Sequence, residues 1–417
     1  MSDIVTISTI VCRTAVDALI SVDPILPIMD KSVAKDYEQK EYNTGDIVYI
    51  RKKDQPQRPR QSSDISLDPI QQDQIAVQVL QYNTGFQLGG LQEAYYIGGE
   101  DRVRSEMVKP KTETMATECA LLCYNELCSA PGYFTPAASG IPAITALKTA
   151  TDWAYGQAAL NDQLANDTGL YAIMSNMTMA ETSGDLAKAF NPTKESATAF
   201  MDGRVKSAMN LNFYSTANLP LHTNGSAVGS TNGSSGFKVG TNATSGATTI
   251  ALTGGTTSGV VSANSLIYFW GIYEVQPHTK YQLSRIRTFN VTADVTLSSG
   301  AGTLTVSPAM YGPENKKMQN MTALPTTAHY VGIVGAASTT YEQAVVMKKG
   351  ASSFIGLSLP DLEGQKVSTD NYQGVEVKVS AGSDIRAYNN LVRMDMLVAA
   401  KNRQPYHIYR AFTRALT

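Results

Sequence analysis

The period of the apolar positions changes along the chain, and each change marks an element. From Gly99 to Asn125, GEDRVRSEMVKPKTETMATECALLCYN, a charged start gives way to apolar residues at helical spacing: Met115, Cys119, Leu122 with Cys123, and Leu127 just beyond. This spacing predicts a long helix, ~40 Å at 1.5 Å per residue, kinked or broken at Pro110; two helices meeting at that proline is the alternative. So long a helix exceeds what a small core requires. It is expected to act as a spine for an extended N-terminal region and a C-terminal sheet.

Residues 2–30 carry a short amphipathic pattern ending at the segment Pro24 to Pro27. Tyr42 to Ile50, YNTGDIVYI, reads as a turn and an alternating strand, with Asn43, Gly45 and Asp46 supplying the turn chemistry. It runs into RKKDQPQRPRQSSD, which has no apolar periodicity, and a second strand follows at Gln74 to Val79. Two strands flanking a basic segment without apolar residues make a long hairpin arm whose tip has nothing of its own to pack against.

After the spine, Pro131 to Ser139 reads as a loop. Ile144 to Leu164 reads as a helix with Leu147, Thr151, Ala154 and Ala158 on one face. A buried strand is expected at Gly169 to Asn176, a helix at Gly184 to Phe190 stopped by Asn191-Pro192, and strand character at Ala197 to Phe200 and Gly203 to Leu219. From Thr223 to about Gly259 the chain is almost all Gly, Ser, Thr, Asn and Ala. Closely spaced strands follow at Ser265 to Tyr273, Tyr281 to Val291 and Gly302 to Val306. Helical and mixed signals resume at Thr340 to Met347, and paired strands at Gly374 to Val379 and Asn390 to Ala399. An all-β domain over 223–340 set within an α/β domain is the expected arrangement.

A chain of 417 residues can bury more than one core. Its net charge of −2 argues against a protein that holds nucleic acid by a dense basic surface. No uncharged run has the length of a membrane span and the N-terminus has no signal-peptide pattern, so a reducing cytoplasm is the expected setting. Cys12, Cys119, Cys123 and Cys128 fit that setting as buried small hydrophobes.

Candidate chemistry is sparse. His222, His278, His329 and His407 are scattered singly, and Cys119 and Cys123 lie one helical turn apart with no further ligand nearby, so core packing is favoured over metal. Nucleotide-binding glycine loops and a GxSxG elbow are missing, and acidic pairs such as Glu113 with Glu118 read as solvated helix faces. The basic run Arg51, Lys52, Lys53, Arg58 and Arg60 has no aromatic interleaving. It fits an acidic patch on a neighbouring copy better than nucleic acid.

Six segments in order resemble the major capsid proteins of tailed double-stranded DNA bacteriophages, in the P22-type coat protein branch of the HK97-like fold. They are TGDIVYIRKKDQPQRP, IQQDQIAVQV, DRVRSEMVKPKTETMATE, GRVKSAMNLNFYSTANLPLHTNG, SLIYFWGIYEVQPHTKYQLSRIRTFNVTADV and NNLVRMDMLVAAKNRQPYHIYR. Where the family often has glycine before the aromatic strand, this chain has Ala208 ahead of Phe213, and the lead-in from Thr223 to Gly259 is longer than the typical insertion start. The resemblance implies an α+β HK97-like fold with a long spine helix, an extended E-loop hairpin and an inserted β-barrel-like domain. It places the N-terminal arm at 1–44, the E-loop hairpin at 45–84, and the spine helix and peripheral domain at 85–140. The first part of the axial domain falls at 141–222, the inserted all-β domain at 223–340, and the closing strands of both host domains at 341–417.

The implied function is that of a structural subunit, not an enzyme, which self-assembles into an icosahedral capsid around the phage genome. Arg51, Lys52, Lys53, Arg58 and Arg60 are expected at inter-subunit contacts, and Met115, Cys119, Leu122 and Cys123 in the packing of the spine. The resemblance implies as partners further copies in hexamers and pentamers, a scaffolding protein and a portal, and packaged double-stranded DNA held without sequence specificity. No cofactor, metal or membrane is expected. Assembly in the host cytoplasm, procapsid maturation and final residence in the virion are implied too. The rival readings are a tail or adhesion protein using the Ser/Thr/Gly-rich strands, and an enzyme with a β-rich accessory domain. A tail fibre should repeat, and residues 223–340 show no period.

Overall fold

The computed structural model describes residues 11–19, 25–33, 42–52, 74–89, 106, 108–134, 141–144, 146–165, 169–189, 205–227, 229–230, 232–255, 258–360, 365–372, 374–384 and 389–416. The chain divides into two compact units: residues 1–52, 74–126 and 352–403 form one, and residues 53–73, 127–351 and 404–417 the other.

In the first unit the NTGD turn, Asn43 to Asp46, closes as its residue types require. Gly45 takes φ +94°, and the Asn43 N–H donates to Asp46 Oδ2 at 2.8 Å. Strand Ile47–Arg51 then pairs antiparallel with Gln74–Gln78. Alternation does its work here: Val48, Ile50 and Val77 are buried with Val79, Ile355, Leu357, Leu397 and Ala399, while Ile47 and Tyr49 face outward. The hairpin root is thus anchored on its own unit's sheet. That sheet runs Ser352–Leu357, Asn389–Asn402, Val375–Asp384, Lys366–Tyr372, and Leu80–Gly89 lines the other edge of Asn389–Asn402. Arg403 holds Asp30 at 2.7 Å, while Lys401 and the Asn402 N–H hold Glu126 at 3.0 and 3.1 Å.

The described spine helix is Lys109–Leu127, roughly 28 Å long. Pro110 is its second residue, where a missing N–H is tolerated, and Glu106 and Val108 before it lie in a wider π-type turn. Among the described residues the α-helix thus begins one residue before the proline, directly after that wider turn. Residues 99–105 lie outside the described residues, as do 197–200.

The second unit holds a seven-stranded sheet. Its path is Gly132–Tyr133, Ile408–Leu416, Thr340–Lys348, Leu170–Ser175, Leu211–Thr216, Ser207–Ala208, with His222–Thr223 also pairing Thr340–Lys348. Strand Leu170–Ser175, helix Asn176–Ala189 and the parallel strand Leu211–Thr216 make one β-α-β crossover. That helix begins eight residues before the expected Gly184, because Ser175 Oγ accepts the Thr178 N–H at 3.2 Å and starts it directly off the strand. Helix Ala150–Asp162 is shorter than the expected 144–164. Thr149 and Asp152 form a reciprocal capping box that sets its start.

Its buried face is Asp152, Trp153, Gly156, Ala159 and Leu160, while Thr151 and Ala158 are exposed. Trp153 decides this rotation: it is fully buried between Phe134 and Phe213, and Gly156 lets the helix approach Val346, where a Cβ would come within 3.2 Å. Thr340–Lys348, expected to be helical or mixed, is a central strand. Its apolar run Ala344 to Met347 is buried on both faces, which removes the alternation that marks a half-exposed strand.

Between His222 and Thr340 the described residues hold strands and no helix. Val331–Ile333, Leu266–Val275, Gln282–Val291, Gly302–Met310, Ala247–Thr253 and Lys238–Val239 pair in that order. The Lys238–Tyr330 bridge and the Val331 N–H to Phe237 carbonyl bond at 2.8 Å return the last strand to the first, closing a barrel. Its interior is filled by Phe237, Ile250, Ile267, Phe269, Phe289, Leu304 and Met310, among others.

Candidate assembly surfaces and the buried charge cluster

The hairpin presents polar and apolar groups together. Ile47 and Tyr49 are 55% and 49% exposed on a strand whose other face is fully buried. Arg51 and Lys52 follow, both exposed, and the Arg51 carbonyl accepts the Arg403 Nε–H at 3.2 Å. Lys53, Arg58 and Arg60 lie outside the described residues. On the spine, Met115, Cys119 and Cys123 are buried, whereas Leu122 is only half-buried at the side of the stripe occupied by Ala116, Ala120 and Tyr124. Burial pushes the Cys119 thiol up to about 12, so it stays protonated and unreactive at neutral pH.

The residues that join the barrel to its host sheet were not singled out from the sequence. Glu274, 1% exposed, receives Arg285 Nε at 3.4 Å and the Tyr409 hydroxyl at 3.1 Å on one oxygen, and Arg287 Nη1 at 3.3 Å on the other. Arg285 also reaches Asp162 at 2.8 Å, at the end of helix Ala150–Asp162. Arg287 lies 4.9 Å from the Tyr406 ring centre and 5.5 Å from that of Phe289, so its charge is met partly by π faces. Arg410, fully buried, donates to Asn290 Oδ1 at 2.6 Å, to the Asn264 carbonyl at 2.8 Å and to the Cys128 carbonyl. Burial pulls its pKa down to about 10. Nearby, His222 stacks on Phe412, and its Nε2 lies 2.8 Å from Asn224 Oδ1.

Two barrel strands serve two cores at once. Ile267, Phe269 and Phe289 point into the barrel, whereas Leu266, Tyr268 and Ile286 join Trp153, Phe213 and Tyr409 in the host core, with Trp270 and Tyr273 packed against it. One signal was available: a lone Glu in LIYFWGIYEV and Arg residues in QLSRIRTFNV and IYRAFTR are charges inside otherwise apolar strands, which are tolerated only when paired.

Among the described residues no group of His, Cys, Asp or Glu could hold a metal ion, and no helix is long and apolar enough to cross a membrane. The geometry is that of a structural subunit: an anchored hairpin offering a mixed apolar and basic face, a long spine, and a barrel clamped into an α/β host. Residues 19–412 match the P22 coat protein family, described as gene protein 5, and the chain belongs to it. It is accordingly a phage major capsid protein of HK97-like fold, a non-enzymatic subunit that self-assembles into the icosahedral shell of the virion, and its partners are those of capsid assembly.

Solved structures similar to the chain include one of Mycobacterium phage Che8, with 9% identity, 92% of this chain and 89% of that chain covered, and a TM-score of 0.45. The capsid of Ralstonia phage GP4 has 9% identity, covers 93% and 87%, and gives 0.43. A virus-like particle from Pyrococcus furiosus has 7% identity, covers 96% and 97%, and gives 0.39. No curated protein matches the chain.

Proposed function

We propose that the 45–84 hairpin is the E-loop through which each subunit reaches its neighbours in hexamers and pentamers, with residues 1–44 as an N-terminal arm lying on adjacent copies. The carrying observation is the two-sided strand Ile47–Arg51, with Val48 and Ile50 buried on its own unit while Ile47, Tyr49, Arg51 and Lys52 remain exposed. A hairpin fixed at its root and exposed on its outer face is suited to bury that face against another copy, and its basic groups would set register against acidic ones. The spine and peripheral domain occupy 85–140, the axial domain 141–222, the inserted domain 223–340 and the closing strands 341–417 in this reading. A scaffolding protein and a portal act as assembly partners in the host cytoplasm. The near-neutral chain packages double-stranded DNA without reading its sequence, which suits a container that must hold any sequence.

Analytical ultracentrifugation of the full-length chain, with and without a co-expressed scaffolding protein, tests this. Particles of megadalton mass are expected. Replacing Arg51, Lys52 and Lys53 with Glu should leave the subunit folded, since Arg51 and Lys52 are exposed and Lys53 follows them in an apolar-free segment, while slowing or misdirecting assembly. Assembly of that variant at the wild-type rate and salt dependence would refute the assignment of the hairpin.

A further inference from the structure

The chain contains two Asn-Gly pairs, Asn224-Gly225 and Asn232-Gly233, in opposite environments. In such a pair the glycine places no side chain in the way of its own backbone nitrogen, which can attack the asparagine side-chain carbonyl carbon. Asn224 is buried, and its amide is committed on both sides: Nδ2 donates to the Val334 and Ala336 carbonyls at 2.9 and 3.1 Å, and Oδ1 lies 2.8 Å from His222 Nε2. Loss of that nitrogen as ammonia would break two hydrogen bonds in a buried site.

Asn232 is exposed, at the start of the described loop 232–236. Its Oδ1 accepts the Ser234 N–H at 3.0 Å and the Ser235 hydroxyl at 3.2 Å. Both donors therefore sit on the oxygen that becomes negative when the carbonyl carbon is attacked. The attacking group is also engaged: the Gly233 N–H donates to Ser230 Oγ at 3.0 Å, which points the proton it must give up at an oxygen acceptor. Among the described residues no hydrogen bond holds Asn232 Nδ2, the leaving group.

We propose that Asn232 is a self-modification site at which the folded loop promotes deamidation, while Asn224 is protected. The Gly233 backbone nitrogen forms a bond to Asn232 Cγ and gives up its proton. The Cγ–Nδ2 bond breaks and ammonia leaves with that proton, closing a succinimide. Water then opens the ring at either carbonyl, giving aspartate or isoaspartate. Each conversion places a new carboxylate on the barrel loop, and isoaspartate lengthens the backbone by one methylene. The change would be felt at Trp270, whose Nε1 donates to the Ser230 carbonyl at 3.3 Å and whose ring would lie 2.9 Å from a Cβ at Gly233.

The test ages the full-length chain and a peptide of residues 229–237 side by side in mildly alkaline oxygen-18 water, followed by digestion and mass spectrometry. The expected result is label at position 232 accumulating in the folded chain at least as fast as in the peptide, with position 224 unlabelled and Trp270 fluorescence changing in step. Ser235→Ala, a surface substitution, should slow the folded chain three- to tenfold, the scale of one hydrogen bond, and leave the peptide rate unchanged. Slower conversion in the folded chain than in the peptide, equal labelling at 224, or no effect of Ser235→Ala would each overturn the proposal.

Discussion

Acid should loosen the neck of the inserted barrel, and His222 sets the window. This residue lies where the chain enters the insertion, and its strand partner is Tyr341, where the chain leaves. Its ring stacks on Phe412 at 5.0 Å, and Asn224, Ser265 and Arg410 are the polar groups around it. Burial first, then the charge of Arg410, push its pKa from 6.5 down to about 4, with the Asn224 hydrogen bond opposing them. The folded chain thus keeps His222 neutral where the unfolded chain already binds a proton. Stability is full above pH 6.5, falls as pH drops below 6.5, and stops falling for this group once pH passes below about 4. At 1.36 kcal/mol per pH unit, that window corresponds to roughly 3 kcal/mol. Urea unfolding of the full-length chain across this range, compared with His222→Gln, isolates the effect, because glutamine keeps a side-chain N–H for Asn224 without titrating. Wild type should lose roughly 3 kcal/mol more than the variant between the two ends. An identical acid limb in the two proteins would refute the reasoning.

Glu274→Gln leaves Arg285 and Arg287 buried without their shared carboxylate and should cost about 3–5 kcal/mol, read as a lowered unfolding midpoint and poor soluble yield. Cys119→Ser places a hydroxyl in the spine's buried stripe and should cost roughly 1–3 kcal/mol, more than Cys119→Ala; thiol reagents should modify Cys119 only after denaturation. A fragment of residues 223–340 should bind hydrophobic dyes and self-associate, because the face carrying Leu266, Tyr268, Trp270, Tyr273 and Ile286 loses the host core. Its three aromatics alone represent roughly 450–750 Å², at or beyond the largest apolar patch of a typical monomer. A monomeric fragment that melts cooperatively and binds no dye would contradict that expectation.

Elements whose two faces differ were legible in the chain. The hairpin strands alternate, the turn at Asn43 to Asp46 uses residues with one common purpose, and the spine stripe at Met115, Cys119 and Cys123 repeats at helical spacing. The order of six weak segments then pointed to the family, because spacing along a whole chain is harder to match by chance than any one of them. Boundaries were less legible where a cap decided them: Thr149 with Asp152, and Ser175 ahead of Thr178, are pairs whose meaning depends on which residue the helix selects as its first.

Beyond those boundaries, the strand at Thr340–Lys348 and the buried charges escaped the sequence reading for one physical cause, burial on both faces. Thr340–Lys348 lies in mid-sheet beneath helix Ala150–Asp162, so nothing forces its residues to alternate. Leu266–Val275 faces the barrel with one side and the host with the other, and its continuous apolar run follows from that. The same geometry explains the charges. Once both faces of a strand are closed, a polar side chain on it has no solvent to reach, and Glu274, Arg285, Arg287 and Arg410 can exist there only by meeting one another, aromatic faces or backbone carbonyls. The charged residues inside the most apolar strands are therefore the joint between insertion and host, and removing either partner strands the other.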